Sequence, residues 1–185
     1  MSSSRRGESH HQSTRMALSG MLVALSVVLM LTGGLIPVMT YVSPLLAGLL
    51  LLPLLLEFGA ATAWTAWGAA ALVVLLLGID REAAFFYLFF GYYPIIKWRL
   101  DKLRGKGLRL LCKSALFAVS AGVMYALLAF VIRLDAVLAD FGEMGVWMTA
   151  AFFALLVVCM LLYDRLLFPL LMLYDTKLRP RLHLK

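Results

Sequence analysis

The sequence predicts an all-α polytopic membrane protein, with six transmembrane helices and both termini cytoplasmic. Three observations lead there. First, 63% of the 185 residues are hydrophobic and only 15% are charged, with a mean hydropathy of +0.94; soluble domains are closer to half apolar and a quarter charged. Second, several apolar runs reach or approach the ~18 residues that cross a bilayer as a helix. Third, Lys97 to Lys113 holds seven basic residues (Lys97, Arg99, Lys102, Arg104, Lys106, Arg109, Lys113) against one acid, Asp101. Lysine and arginine resist translocation, so this stretch is held in the cytoplasm, and counting spans from it sets every other segment's side. Backbone groups in lipid must be satisfied internally, which makes one helical domain the default.

Taken in order, residues 1–15 carry Arg5, Arg6 and Arg15 among small polar residues and are expected to be a disordered cytoplasmic tail. The apolar run that follows is too long for a secretory leader, lacks a clear cleavage site and precedes further spans. Span one covers Met16 to Ile36 and ends at Gly33, Gly34 and Pro37, residues that punctuate helices. Span two covers Val42 to Leu56; Pro44 fits its first turn and Pro53 kinks its inner end. Glu57 and Gly59 form a short inner turn. Span three covers Ala60 to Ile79, and Asp80-Arg81-Glu82 turns the chain outside. Span four runs from Ala83 to Lys97 with a bend at Pro94. It is short, but Arg81 and Lys97 can snorkel, and Tyr92, Tyr93 and Trp98 suit the interface. Span five covers Ser114 to Ile132, followed by an outer loop with Arg133, Asp135, Asp140 and Glu143. Span six covers Val146 to Tyr163, after which Asp164-Arg165 emerges inside. Residues 16–165 thus form the transmembrane domain. Residues 166–185 form an interface-lying segment around Pro169 and a basic tail.

Placed this way, 15 of the 17 basic residues lie inside, with only Arg81 and Arg133 outside, and the ten acids divide five and five. That asymmetry is expected when lysine and arginine, rather than net charge, set orientation. The net charge of +7 then answers to orientation and to anionic lipid at the basic loop, not to nucleic acid. No internal repeat supports an inverted-repeat transporter. Cys112 and Cys159 fall in a reducing compartment and in the membrane, so no disulfide is expected, and neither stands at metal-ligand spacing. G-x-S-x-G, H-E-x-x-H and a phosphate loop ending in Lys-Ser/Thr are all missing, which excludes an ATPase within this chain; no enzyme and no cofactor is expected, while carboxylate chemistry is left open by these absences. No ionisable residue is placed deep in a span, which argues against a proton-coupled pump.

Span one holds the most specific local pattern. Ala17, Gly20 and Ala24 share one helical face, and Gly20-x-x-x-Ala24 is a small-xxx-small pair. Such a groove lets another helix approach closely in lipid. From the residues alone, that helix is either a neighbouring span of the same chain or a partner's. With the span number, the length and the basic end before span one, the groove makes the chain resemble the substrate-binding S-components of energy-coupling factor (ECF) transporters. The resemblance covers nearly the whole chain. Gly20 stands where the family's Ala-x-x-x-Ala motif has its first alanine, a departure small in size.

The resemblance implies a division of labour. An S-component captures a vitamin or similar micronutrient outside, docks a transmembrane coupling subunit through span one and topples to release its cargo, while two cytoplasmic ATPases hydrolyse ATP. Ala17, Gly20 and Ala24 would be the docking residues. The ligand site would lie at the outer face, under the loop between spans one and two, where Thr40, Tyr41, Arg81, Glu82, Tyr87, Asp135, Glu143 and Trp147 supply polar and aromatic groups. The residues read without the resemblance leave two alternatives. One is a non-transporting membrane assembly or scaffold protein that uses the same groove and basic loop. The other is a carboxylate enzyme acting on lipid, built on Glu57, Asp80, Glu82, Asp140 or Glu143.

Overall fold

A computed structural model of the chain describes residues 3–33, 39–78, 80–102, 105–127, 146–174 and 176. The described residues form eight helices and no strand. They are α1 (Ser3–Gly33), α2 (Met39–Leu49), α3 (Leu52–Phe58), α4 (Ala60–Leu77), α5 (Arg81–Phe90), α6 (Tyr93–Leu100), α7 (Lys106–Ala126) and α8 (Val146–Leu173). Five stretches are long and apolar enough to cross a membrane: Gln12–Gly33, Met39–Phe58, Ala60–Leu77, Lys106–Met124 and Phe153–Leu173. Only 17 to 39% of each is buried inside the protein, so most of this apolar surface needs lipid around it.

Three expectations need restating. Residues 3–15, expected to be disordered, are the first turns of α1. No proline interrupts 3–33, and once the apolar part has nucleated a helix, each further residue adds a hydrogen bond at low cost. The fourth expected span is two helices of 10 and 8 residues, meeting at 91–92, with Pro94 in the first turn of α6. Proline is tolerated there because its missing N–H would be unpaired anyway. Finally, α8 does not end at Asp164-Arg165 but runs on through Pro169 to Leu173. Its buried positions Met160, Tyr163, Leu167 and Tyr174 keep one helical stripe across the expected break.

The chain divides into two compact units, with the boundary between Ile95 and Ile96 inside α6. In the first unit, α1 packs on α2 and α4, α2 on α5, and α4 on α3 and α5. The interior is built from small residues: Ala47, Ala63, Ala66, Ala70, Ala71, Ala83 and Ala84 are buried, while Leu72, Leu76 and Leu77 face outward. Lipid is as apolar as leucine, so close backbone approach, rather than burying bulk, holds such helices together. Backbone meets backbone closely at Gly48 of α2 and Gly91, where a β-carbon on Gly48 would lie 2.9 Å from the Gly91 carbonyl oxygen. Ser26 Oγ donates to the Leu22 carbonyl at 2.8 Å and reaches the Ala47 carbonyl at 3.4 Å, tying α1 to α2. In the second unit, α7 packs on α8, burying Phe117, Ala121, Met160 and Leu167.

Candidate functional site

The groove residues Ala17, Gly20 and Ala24 are all exposed on α1. Met21, Leu25 and Val28 continue the same exposed side. The opposite side carries Leu22, Ser26 and Met30, which are buried against the neighbours of α1, and Val27, one heptad beyond Gly20, is buried as well. A β-carbon built on Gly20 meets nothing within 4 Å. Among the described residues, therefore, the small-residue face is not consumed by internal packing.

The expected ligand residues divide between places. Tyr41 and Glu82 come together: the Tyr41 hydroxyl donates to Glu82 Oε2 at 3.2 Å, bridging α2 to the first turn of α5. The edge of the Tyr41 ring meets Phe86 at 5.6 Å between centroids. Thr40 is half-buried beside Tyr41 in the sequence, and Arg81 is exposed. Asp80 is committed to structure, because its carboxylate accepts the Ala83 N–H at 2.9 Å and caps α5. Deeper in this unit, Tyr87 is fully buried, and its hydroxyl has no hydrogen-bond partner among the described residues. The same holds for Ser43 Oγ on α2, the helix that packs on α5. An unpaired buried hydroxyl costs about 1–3 kcal/mol. Trp64, Trp67 and Tyr92 form an aromatic cluster, with the Trp64 and Tyr92 rings stacked at 5.9 Å and the Trp67 indole N–H donating to the Tyr87 carbonyl at 3.4 Å. Asp135 and Glu143 lie outside the described residues. Trp147, in the first turn of α8, is 90% exposed and belongs to the second unit.

The second unit contains a constellation that sequence reasoning missed. Lys97, Asp101, Lys113 and Asp164 form a closed ring of alternating charge. Lys113 Nζ lies 2.7 Å from a carboxylate oxygen of Asp101 and 2.7 Å from one of Asp164. Lys97 Nζ contacts Asp164 Oδ1 directly and lies 3.3 Å from Asp101 Oδ2. It also donates to the Asp164 backbone carbonyl at 3.1 Å. The lysine side chains are 9% and 6% exposed and Asp164 is 13% exposed; Asp101, on the turn that closes α6, is the open member at 36%. Each charge has two neighbours of opposite sign, which is what makes burial of four charges tolerable. Asp164 does not mark the end of its helix, as expected, but sits inside the apolar span Phe153–Leu173. Two signals pointed to the ring: the i,i+4 spacing of Lys97 and Asp101, and a lone acid in a long apolar run.

No family model, no curated protein and no solved structure matches the chain.

Proposed function

We propose that the chain is the substrate-capture component of an ATP-driven, ECF-type importer of a vitamin or similar micronutrient. In this reading it is a multi-pass protein of the cell membrane and not itself an enzyme. It crosses six times, with α5 and α6 together making the fourth crossing, and both termini lie in the cytoplasm. A transmembrane coupling subunit and two cytoplasmic ATPases complete the transporter.

The observation that carries the reading is the open face of α1. A small-residue groove that the described residues of its own unit leave uncovered is the surface a second membrane helix needs for close approach. The exposed Met21, Leu25 and Val28 beside it add apolar contact for that helix. The ligand end draws support from the Tyr41–Glu82 pair and from the unspent hydroxyls of Tyr87 and Ser43. Apolar walls with a few oriented polar groups suit a small, flat, partly polar molecule.

The test replaces Gly20 or Ala24 with tryptophan. Co-purification with the coupling subunit, and uptake, should each fall by at least roughly tenfold, the equivalent of ~1.4 kcal/mol, while the isolated subunit still binds its ligand. Uptake and assembly unchanged by both substitutions would defeat the assignment. Native mass spectrometry of gently purified protein separates the scaffold alternative, which predicts a partner but no bound small molecule.

A further inference from the structure

The ring in the second unit is closed and neutral, yet it is not symmetric. Asp164 is set in the body of α8, with a buried tyrosine and leucine, Tyr163 and Leu167, in the turns around it. Asp101 sits on the turn after α6, is the most exposed member and makes the longest of the four contacts, 3.3 Å to Lys97. If one carboxylate of the ring is to be exchanged for another anion, it is this one. An incoming group with a single negative charge would leave the balance of the ring unchanged. Close to Asp101 in the sequence, Arg99, Lys102 and Lys106 are exposed. Lys102 lies over the ring of Trp98, 5.9 Å from its centroid, and Trp98 is itself exposed. Cations interleaved with an exposed indole are the composition of a surface at headgroup depth, and the cations raise the local concentration of any anion there.

We propose that the ring is an exchange site for an anionic phosphate: the phosphate takes the place of Asp101 between Lys97 and Lys113, while Asp164 keeps its hold on both lysines. A phosphodiester headgroup carries the required single charge and is presented at high local concentration by the membrane. Inorganic phosphate offers the same oxygens from solution. Charge-assisted N–H···O contacts of this kind are among the strongest that a polar site makes. The proposal stands apart from the importer reading and is tested without any transport assay.

The full chain, purified in detergent, is titrated with phosphatidylglycerol, with phosphatidylcholine and with inorganic phosphate, and binding is read by native mass spectrometry. Removing the competing carboxylate with Asp101→Asn should tighten phosphatidylglycerol binding roughly fivefold, about the worth of one charge near a membrane surface. In a Lys113→Met background the same change should bring no gain, because the exchange needs both lysines. Lys97→Met is a second background for the same comparison, should the first not fold. Arg99→Gln should weaken binding equally with and without Asp101. If the Asp101→Asn gain has the same size in every background, Asp101 is only a surface charge and the exchange site does not exist. An equal gain for phosphatidylcholine also overturns it. If inorganic phosphate alone shows the coupling, the source is solution; if phosphatidylglycerol alone does, the source is the bilayer.

Discussion

Asp164 places a carboxylate inside an apolar helix, and the two lysines that answer it come from helices far away in the chain. Desolvating a charge is expensive, and removing one partner of a buried pair leaves the other uncompensated. Asp164→Asn should therefore lower stability by about 3 kcal/mol or more, the scale for breaking a buried pair. Asp101→Asn should cost clearly less, since its side chain already shares its charge with water. Removing both halves of one contact, Lys113→Met with Asp164→Leu, leaves the Lys97–Asp101 i,i+4 pair balanced and should destabilise less than Asp164→Asn alone. Thermal unfolding in detergent ranks the three variants. A double variant less stable than Asp164→Asn would show that the ring is not a charge-balance device. This level was the least legible in the sequence. Lys97, Lys113 and Asp164 each read as a residue at a membrane boundary, because nothing local says that they converge. The Tyr41–Glu82 contact was easier, since both residues lie at the starts of helices that the span count brings to the same end.

At the scale of elements, apolar runs and glycine or proline punctuation located most helices. Gly59 and Gly78, at positive φ, end α3 and α4 where the pattern stops. Two places resisted. The run after Asp164 contains Pro169 and by its sequence suits an interface-lying helix, yet the buried stripe through Leu167 and Tyr174 holds α8 together. One lost backbone hydrogen bond does not outweigh that packing. The other is the α5–α6 joint, where Gly91 allows α2 to come in against it at Gly48. A composition-based reading counts Gly48 as one more helix-tolerated glycine and cannot see the carbonyl that faces it. A β-carbon there, 2.9 Å from that oxygen, must push apart two backbones rather than a flexible side chain. Gly48→Ala should thus destabilise by about 1–3 kcal/mol, the usual cost of overpacking. Gly20→Ala, with nothing within 4 Å, should be neutral or slightly stabilising. Comparing the melting temperatures of these two variants checks the contrast. Equal effects would mean that the Gly48–Gly91 approach is not a tight contact.

At the scale of the whole molecule, one quantity governs how the open face of α1, the Tyr41–Glu82 pair and the charge ring can act, and that is sidedness. Fifteen of 17 basic residues fall on one side when the chain is threaded as six crossings, and such an excess holds loops in the cytoplasm. The threading places the Arg81 turn and the 133–143 stretch outside and Gly105 inside. Asp80 is a poor reporter, because its carboxylate caps α5; the neighbouring Arg81 is exposed. In a chain whose Cys112 and Cys159 are replaced by serine, single cysteines at Arg81, Asp140 and Gly105 report the two sides. With an impermeant maleimide on intact cells, the first two should label and the third only after permeabilisation. Labelling at Gly105 with Arg81 dark would invert the molecule and turn the proposed ligand end to the cytoplasm. Labelling of Arg81 and Gly105 from the same side would instead remove the α5–α6 crossing and leave the five helices that reach membrane length by themselves. The charge ring would then have to be sought on whichever side keeps Gly105, because the basic stretch and the charge excess that orients it are the same residues.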